Sequence, residues 1–180
     1  SLTFLNIMNT GATDLSPLSD LTAMESLHLS NAEITDLSPL TGMSHLKELY
    51  LTDGDLPDSK ISDLSPLSGL TELETLRIPS VSEISDLSPL SGLTALKTLA
   101  VNGISYSGVG KITSLEPLKN LKNLEVINLN VDSETGVDLT PLAGLAHLRE
   151  LTFGGAIQMD SLEVFSNMTE MEELVLHATN

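Results

Sequence analysis

Catalysis and metal binding need imidazole, carboxylate, hydroxyl or thiolate groups that converge. This chain has four histidines, His28, His45, His147 and His177, and no cysteine. The missing cysteine removes disulfides, thiol nucleophiles and cysteine-based metal sites. No GxSxG, P-loop, GxGxxG or HExxH pattern occurs. Carboxylates are abundant in two arrangements. Asp14, Asp36, Asp63, Asp86, Asp138 and Asp160 recur in one repeated phrase, with Ser114 interrupting the series. Stacked aspartates can hold calcium in some solenoids, but the nonapeptide signature of those proteins is absent. The expected role of each is to accept backbone N–H groups of the turn that follows it. Asp53, Asp55 and Asp58 share part of the spacing of a calcium loop and lack the bidentate glutamate that completes one. The expectation is therefore no enzyme, no cofactor and no metal. Recognition chemistry remains, because interface anchors favour tyrosine, tryptophan and arginine. Here the candidates are Tyr50 and Arg77, with His28 in the same repeated position one phrase earlier.

These side chains need a scaffold, and an internal repeat supplies it. Pro17, Pro39, Pro66, Pro89, Pro117 and Pro141 each sit in Leu-x-Pro-Leu, at spacings of 22, 27, 23, 28 and 24 residues. The fullest copies read Asp63-Leu-Ser-Pro-Leu-Ser-Gly-Leu and Asp86-Leu-Ser-Pro-Leu-Ser-Gly-Leu. A hydroxyl residue followed by proline suggests an N-cap and first position, so Ser16, Ser38, Ser65, Ser88 and Thr140 are expected to cap short helical turns. Asp20, Gly42, Gly69, Gly92, Asn120, Gly144 and Asn167 follow three residues after each proline column. They are expected to stop each turn through positive φ. One turn of that length reads as 3₁₀. After it, Leu70, Leu73, Leu76 and Ile78 and their equivalents end in Leu-x-Leu, whose period of two reads as a short strand. One strand per repeat, always returning in the same direction, gives parallel pairing with coils roughly 4.8 Å apart. His45 and His147 then share a column roughly 20 Å apart, too far to act together. A degenerate copy follows Ser161, and a truncated one opens the chain, with Leu2, Leu5 and Ile7 matching Met24, Leu27 and Leu29.

The phrase Ile34-Thr-Asp-Leu-Ser-Pro-Leu-Thr-Gly-Met-Ser-His-Leu-Lys-Glu-Leu-Tyr-Leu and its copies resemble the leucine-rich repeats of internalin-type bacterial surface proteins, over nearly the whole chain. The resemblance implies an α/β leucine-rich-repeat horseshoe, with parallel strands on the concave face and 3₁₀ turns on the convex face. It also implies an extracellular or bacterial cell-surface location and a protein ligand on the concavity. One departure is plain. The asparagine that such repeats carry after the strand is replaced by Thr10, Ala32, Gly54, Val81, Ile104, Asp132, Ala156 and Thr179.

Composition agrees with this reading. Hydrophobic residues make up 41% of the chain and aromatics 3%, without tryptophan, so an aliphatic core of stacked leucines is expected. The net charge of −17 repels phosphate backbones and anionic lipid, so nucleic acid is not an expected partner. No apolar run reaches the roughly 20 residues that span a bilayer, so direct membrane insertion is not expected either. A further column, Glu25, Lys47, Glu74, Lys97, Glu125, Arg149 and Glu172, alternates in sign and should specify register between coils.

The expected partner is another protein, held by His28, Tyr50 and Arg77 on the outward strand column, with Asn128 further along it. Asp53 and Asp55 in the insertion 53–60, and Tyr106 in the insertion 102–111, should flank the same rim. The alternative is a structural spacer with no ligand of its own. Residues 1–180 are expected to form a single domain of about eight coils within a longer protein. Without polar caps at its ends such an array exposes apolar side chains and strand edges, so end-to-end association is expected unless neighbours cover them.

Overall fold

The computed structural model of the protein describes residues 1–8, 12–30, 34–52, 61–78, 83–101, 111–132, 134–159 and 161–177. Eight parallel strands form one sheet: β1 (Phe4–Met8), β2 (Ser26–Ser30), β3 (Glu48–Thr52), β4 (Thr75–Ile78), β5 (Thr98–Val101), β6 (Val126–Asn130), β8 (Glu150–Gly154) and β10 (Glu173–His177). Each pairs with the strand of the next coil, in the order of the sequence. The register is in phase throughout. Leu5, Leu27, Leu49, Leu76, Leu99, Ile127, Leu151 and Leu174 face one another along one column. The described residues include no α-helix; on the other side stand seven 3₁₀ turns, the first six at Ser16–Leu18, Ser38–Leu40, Ser65–Leu67, Ser88–Leu90, Glu116–Leu118 and Thr140–Leu142, and the last at Leu162–Phe165.

The turns show why leucine recurs every third residue. In the coil containing Leu64, the Leu67 N–H donates to the Leu64 carbonyl at 2.9 Å, Leu70 to Leu67 at 3.0 Å and Leu73 to Leu70 at 2.9 Å. The same three bonds link Leu87, Leu90, Leu93 and Leu96, and again Leu115, Leu118, Leu121 and Leu124. Bonds between residues three apart put those side chains on one side of the chain. All twelve of these leucines are at most 1% exposed. Each fully buried leucine contributes roughly 1.5–3 kcal/mol relative to exposure. The core is aliphatic as expected, with one aromatic exception: Phe153 is fully buried in the strand column it shares with Ile78, Val101 and Leu129.

The turn chemistry differs from the expectation in two respects. The cap position of the first six turns is the leucine before the hydroxyl residue, and it makes no side-chain cap bond. The serine or threonine lies inside the turn, and the aspartate before it does the capping. Asp14, Asp36, Asp63, Asp86 and Asp138 each accept the backbone N–H of Ser16, Ser38, Ser65, Ser88 or Thr140 at 2.8 Å. Ser114, in the aspartate column, accepts the Glu116 N–H at 3.3 Å instead. In the seventh turn a serine does cap, with Ser161 Oγ accepting the Glu163 N–H. The glycine stop is also not found. The described glycines with positive φ are Gly136 (φ 69°) and Gly155 (φ 112°), and Gly42, Gly69, Gly92 and Gly144 are not among them. The chain continues past them in the same succession of turns, so no left-handed residue is required.

Gly136 and Gly155 belong to a feature that the repeat pattern did not announce. Short strands β7 (Val137–Asp138) and β9 (Ile157–Gln158) form a second parallel pair, and Ile112 bridges Val131 nearby. Of the column that replaces the usual asparagine, Asp132 and Ala156 lie among the described residues. Asp132 Oδ1 accepts the backbone N–H groups of Glu134 and Thr135 at 2.8 and 2.7 Å, so an aspartate closes this loop.

Two predictions follow from turn and loop geometry. A Cβ at Gly69 or Gly92 meets nothing within 4 Å, whereas one at Gly155 would lie 2.3 Å from the Val131 carbonyl oxygen. Gly69→Ala and Gly92→Ala should each raise stability by about 0.4–1 kcal/mol through the unfolded chain. Gly155→Ala should lower it by about 1–3 kcal/mol. Chemical denaturation of the three variants checks this, and an equal loss at all three positions would contradict the turn assignment. The second concerns acid. Asp14 and Asp86 are held below the ordinary aspartate range mainly by the backbone N–H of Ser16 and Ser88, with the hydroxyl second. Asp63 and Asp138 are lowered mainly by the Ser65 and Thr140 hydroxyls, with the backbone second. A carboxyl lowered by folding contributes stability above its unfolded pKa and loses it as pH falls through the folded one. Melting temperature should therefore hold down to about pH 5 and drop below about pH 4. An Asp63→Asn, Asp86→Asn double variant should show a smaller acid-induced drop, and an unchanged drop would place the sensitivity elsewhere.

Candidate functional site

The alternation that buries one leucine column sends the intervening residues to the open face of the sheet. Asn6, His28, Tyr50, Arg77, Ala100, Asn128, Thr152 and Val175 are paired in register across the eight strands. Beside them run Phe4, Ser26, Glu48, Thr75, Thr98, Val126, Glu150 and Glu173.

On β1 to β4 these two columns make one connected patch. The rings of His28 and Tyr50 lie 4.2 Å apart between centroids, tilted by 52°. Phe4 meets His28 edge-on at 5.5 Å and is 54% exposed. The Arg77 guanidinium carbon sits 5.9 Å from the centre of the Tyr50 ring, within cation–π range. Ser26 Oγ donates to Glu48 Oε2 at 2.8 Å and lies 3.1 Å from His28 Nε2. His28 Nε2 is itself 3.5 Å from Glu48 Oε2. Serine, histidine and glutamate here form no catalytic relay: one hydroxyl bonds both partners, and the cluster lies on an open sheet face.

The structure thus joins His28, Tyr50 and Arg77, as the spacing suggested, and adds Phe4, Ser26 and Glu48. Ser26 and Glu48 could have been found from the same register, one column aside. Asn128 lies on the same column but two strands beyond Arg77, across Ala100, and has an interaction of its own. Asp53, Asp55 and Tyr106 lie outside the described residues. Asn130, at the end of β6, occupies a position that alternation along the strand would turn outward, yet it is 3% exposed. A Cβ on Gly154 would stand 2.5 Å from its Oδ1, so the neighbouring glycine leaves the room that the amide occupies.

The charged column forms salt bridges as expected. Lys47 Nζ meets Glu25 at 2.8 Å, Lys97 meets Glu74 at 2.7 Å, and Arg149 Nε donates to Glu172 at 3.0 Å. These side chains are about half exposed, so they specify pairing more than they stabilise it. His45 pairs with Glu72 and His147 with Glu170, each across one coil. A depression of about 560 Å³ is lined by Glu125, His147, Arg149, Thr169, Glu170, Met171 and Glu172. It is shallow and polar, and its charges largely satisfy one another, so it offers less anchoring than the aromatic patch. Among the described residues no group of three or more histidine or acidic side chains could hold a metal ion.

The ring contact predicts an energetic coupling. In a double-mutant cycle of His28→Ala and Tyr50→Ala, denaturation should return a coupling of about 0.5–1.5 kcal/mol. His28→Ala with Thr152→Ala should return none within error, and equal coupling in both cycles would deny the patch its integrity.

No protein-family model and no curated protein sequence matches the chain. Solved structures do. An internalin (inlF) of Listeria monocytogenes is 31% identical, superposes with a TM-score of 0.76 and covers 96% of this chain, which spans 46% of its length. The internalin inlC2 of the same species is 26% identical with a TM-score of 0.71, over 97% of this chain and 80% of its own. A chain from an octameric complex of latrophilin 3, Unc5D and the leucine-rich-repeat protein FLRT2 shares the fold alone, at 20% identity and a TM-score of 0.55, over 99% of this chain and 61% of its own. With in-register parallel strands on one side and 3₁₀ turns on the other, the chain is a leucine-rich-repeat solenoid of the internalin type.

Proposed function

We propose that the protein is a protein-binding module that docks its partner on the concave sheet face, centred on β1 to β4, as part of a bacterial surface or secreted protein. One observation carries the reading: Phe4, His28, Tyr50 and Arg77 touch in succession across four strands of the open face. Interface anchors are aromatic or arginine side chains clustered in this way. The other aromatic residues of the chain are Tyr106, Phe153 and Phe165, and Phe153 is fully buried. The likeness to internalins supports the surface or secreted setting. Among the described residues no helix is long and apolar enough to cross a membrane. The proposal includes Asp53, Asp55 and Tyr106 of the insertions at 53–60 and 102–111, which follow β3 and β5 in the sequence.

The spacer alternative draws support from the remaining face, where Thr75, Thr98, Ala100 and Thr152 offer little to grip. The two readings separate by mutation. Against a partner isolated from the native environment, Tyr50→Ala should weaken binding by about thirtyfold, the mark of a hot-spot residue. A convex-face change such as Ser88→Ala should leave affinity unchanged. Full affinity in Tyr50→Ala and Arg77→Ala, or a complex with the partner on the Ser-Pro-Leu turns, would overturn the proposal.

A further inference from the structure

The chemistry of the partner's anchoring group can be read from how this chain spends its cations. It has 25 acidic residues against 8 lysines and arginines, so an unpaired cation is unexpected. Lys47, Lys97, Lys111, Lys119 and Arg149 each hold a glutamate. Lys122 donates to the Gly144 carbonyl. Among the described residues Arg77 makes no ion pair, although Glu48 stands on the neighbouring strand, one column aside. Glu48 is engaged elsewhere, with the Ser26 hydroxyl at 2.8 Å and His28 at 3.5 Å. Arg77 therefore presents an exposed, planar fork of donors beside the Tyr50 ring, with no carboxylate of the described residues in it.

A partner that covers this face also covers that fork. Burying a guanidinium without an acceptor is strongly unfavourable, so whatever docks here must bring one. The acceptor that matches the fork with two parallel bonds is a carboxylate. Next to it, the tilted rings of His28 and Tyr50 and the edge-on Phe4 offer apolar area suited to another ring. We propose that the patch recognises a partner segment carrying a carboxylate next to an aromatic side chain, the carboxylate on Arg77 and the ring on Tyr50 and His28. This rests on the concave-face reading above and deepens it. The net charge of −17 disfavours a densely anionic partner more than a single local carboxylate. Long-range repulsion is screened beyond about 8 Å at physiological ionic strength, so the partner's overall charge and its local acid are separate matters.

A small probe with both groups, joined through one methylene, is phenylacetate. Its controls are phenylacetamide, which lacks the charge, and benzylammonium, which reverses it. Heteronuclear NMR of the full chain, titrated with each, reads the site directly. Phenylacetate should shift the resonances of Tyr50 and the Arg77 Nε–H, and should bind about tenfold more tightly than either control. In Arg77→Gln, with an unchanged melting temperature, that preference should vanish while weak ring contact persists. Arg77→Lys should recover part of it, because an ammonium attracts the charge but lacks the fork. Equal binding of all three compounds at the patch, or tighter binding of benzylammonium, would overturn the carboxylate assignment and leave the concave site standing. Shifts confined to other surfaces for all three would overturn both.

Discussion

The structure depends on one match between spacing and hydrogen bonding. A leucine every third residue coincides with backbone bonds between residues three apart, so each turn points its leucine inward and satisfies its own backbone at once. A helix of 3.6 residues per turn would carry such a leucine series progressively around its surface. The short turns do not, and the chain can close a coil in 22 to 28 residues and return in phase. In-phase return is what makes the sheet parallel, the register exact in order from β1 to β10, and every sequence position a spatial column.

Columns have consequences of opposite kinds on the two sides. Inside, equivalent leucines stack and no single coil is stable alone, because its apolar face is buried by its neighbours. Outside, any side chain repeated at one position is brought close to its copies, so like charges would accumulate. The chain manages this by alternating glutamate with lysine or arginine in one column. In the aspartate column Asp14, Asp36, Asp63, Asp86 and Asp138 are each spent on their own turn. Against that regular background, the outward columns vary freely, from Phe4 and His28 to Tyr50 and Arg77.

Much of this was legible in the residues. The Leu-x-Pro-Leu phrase announced the coils, Leu-x-Leu announced the strands, and alternation within Leu49-Tyr50-Leu51 told which side Tyr50 faces. Reading failed where one residue type serves several geometries. Serine before proline usually caps a helix, yet here Asp63 and Asp86 cap and Ser65 and Ser88 lie inside the turn. Glycine often marks positive φ, yet Gly69 lacks it and Gly155, in no repeated column of glycines, has it. Asn130 shows the limit of alternation at a strand end, where a glycine on the next strand can turn an outward position into a buried one. The β7 and β9 pair rests on loop geometry that no period reveals. Contacts such as Ser26 to Glu48 follow from register, but which hydroxyl bonds which carboxylate depends on side-chain rotation.

Register alone assembles a contiguous patch of aromatic rings and an arginine from residues 22 to 27 positions apart in the sequence. Nuclear Overhauser contacts between aromatic ring protons test it most directly. The account predicts cross-peaks from the His28 ring to both the Phe4 and Tyr50 rings in the isolated chain at neutral pH. A spectrum with the leucine core intact but no contact between His28 and Tyr50 would contradict it.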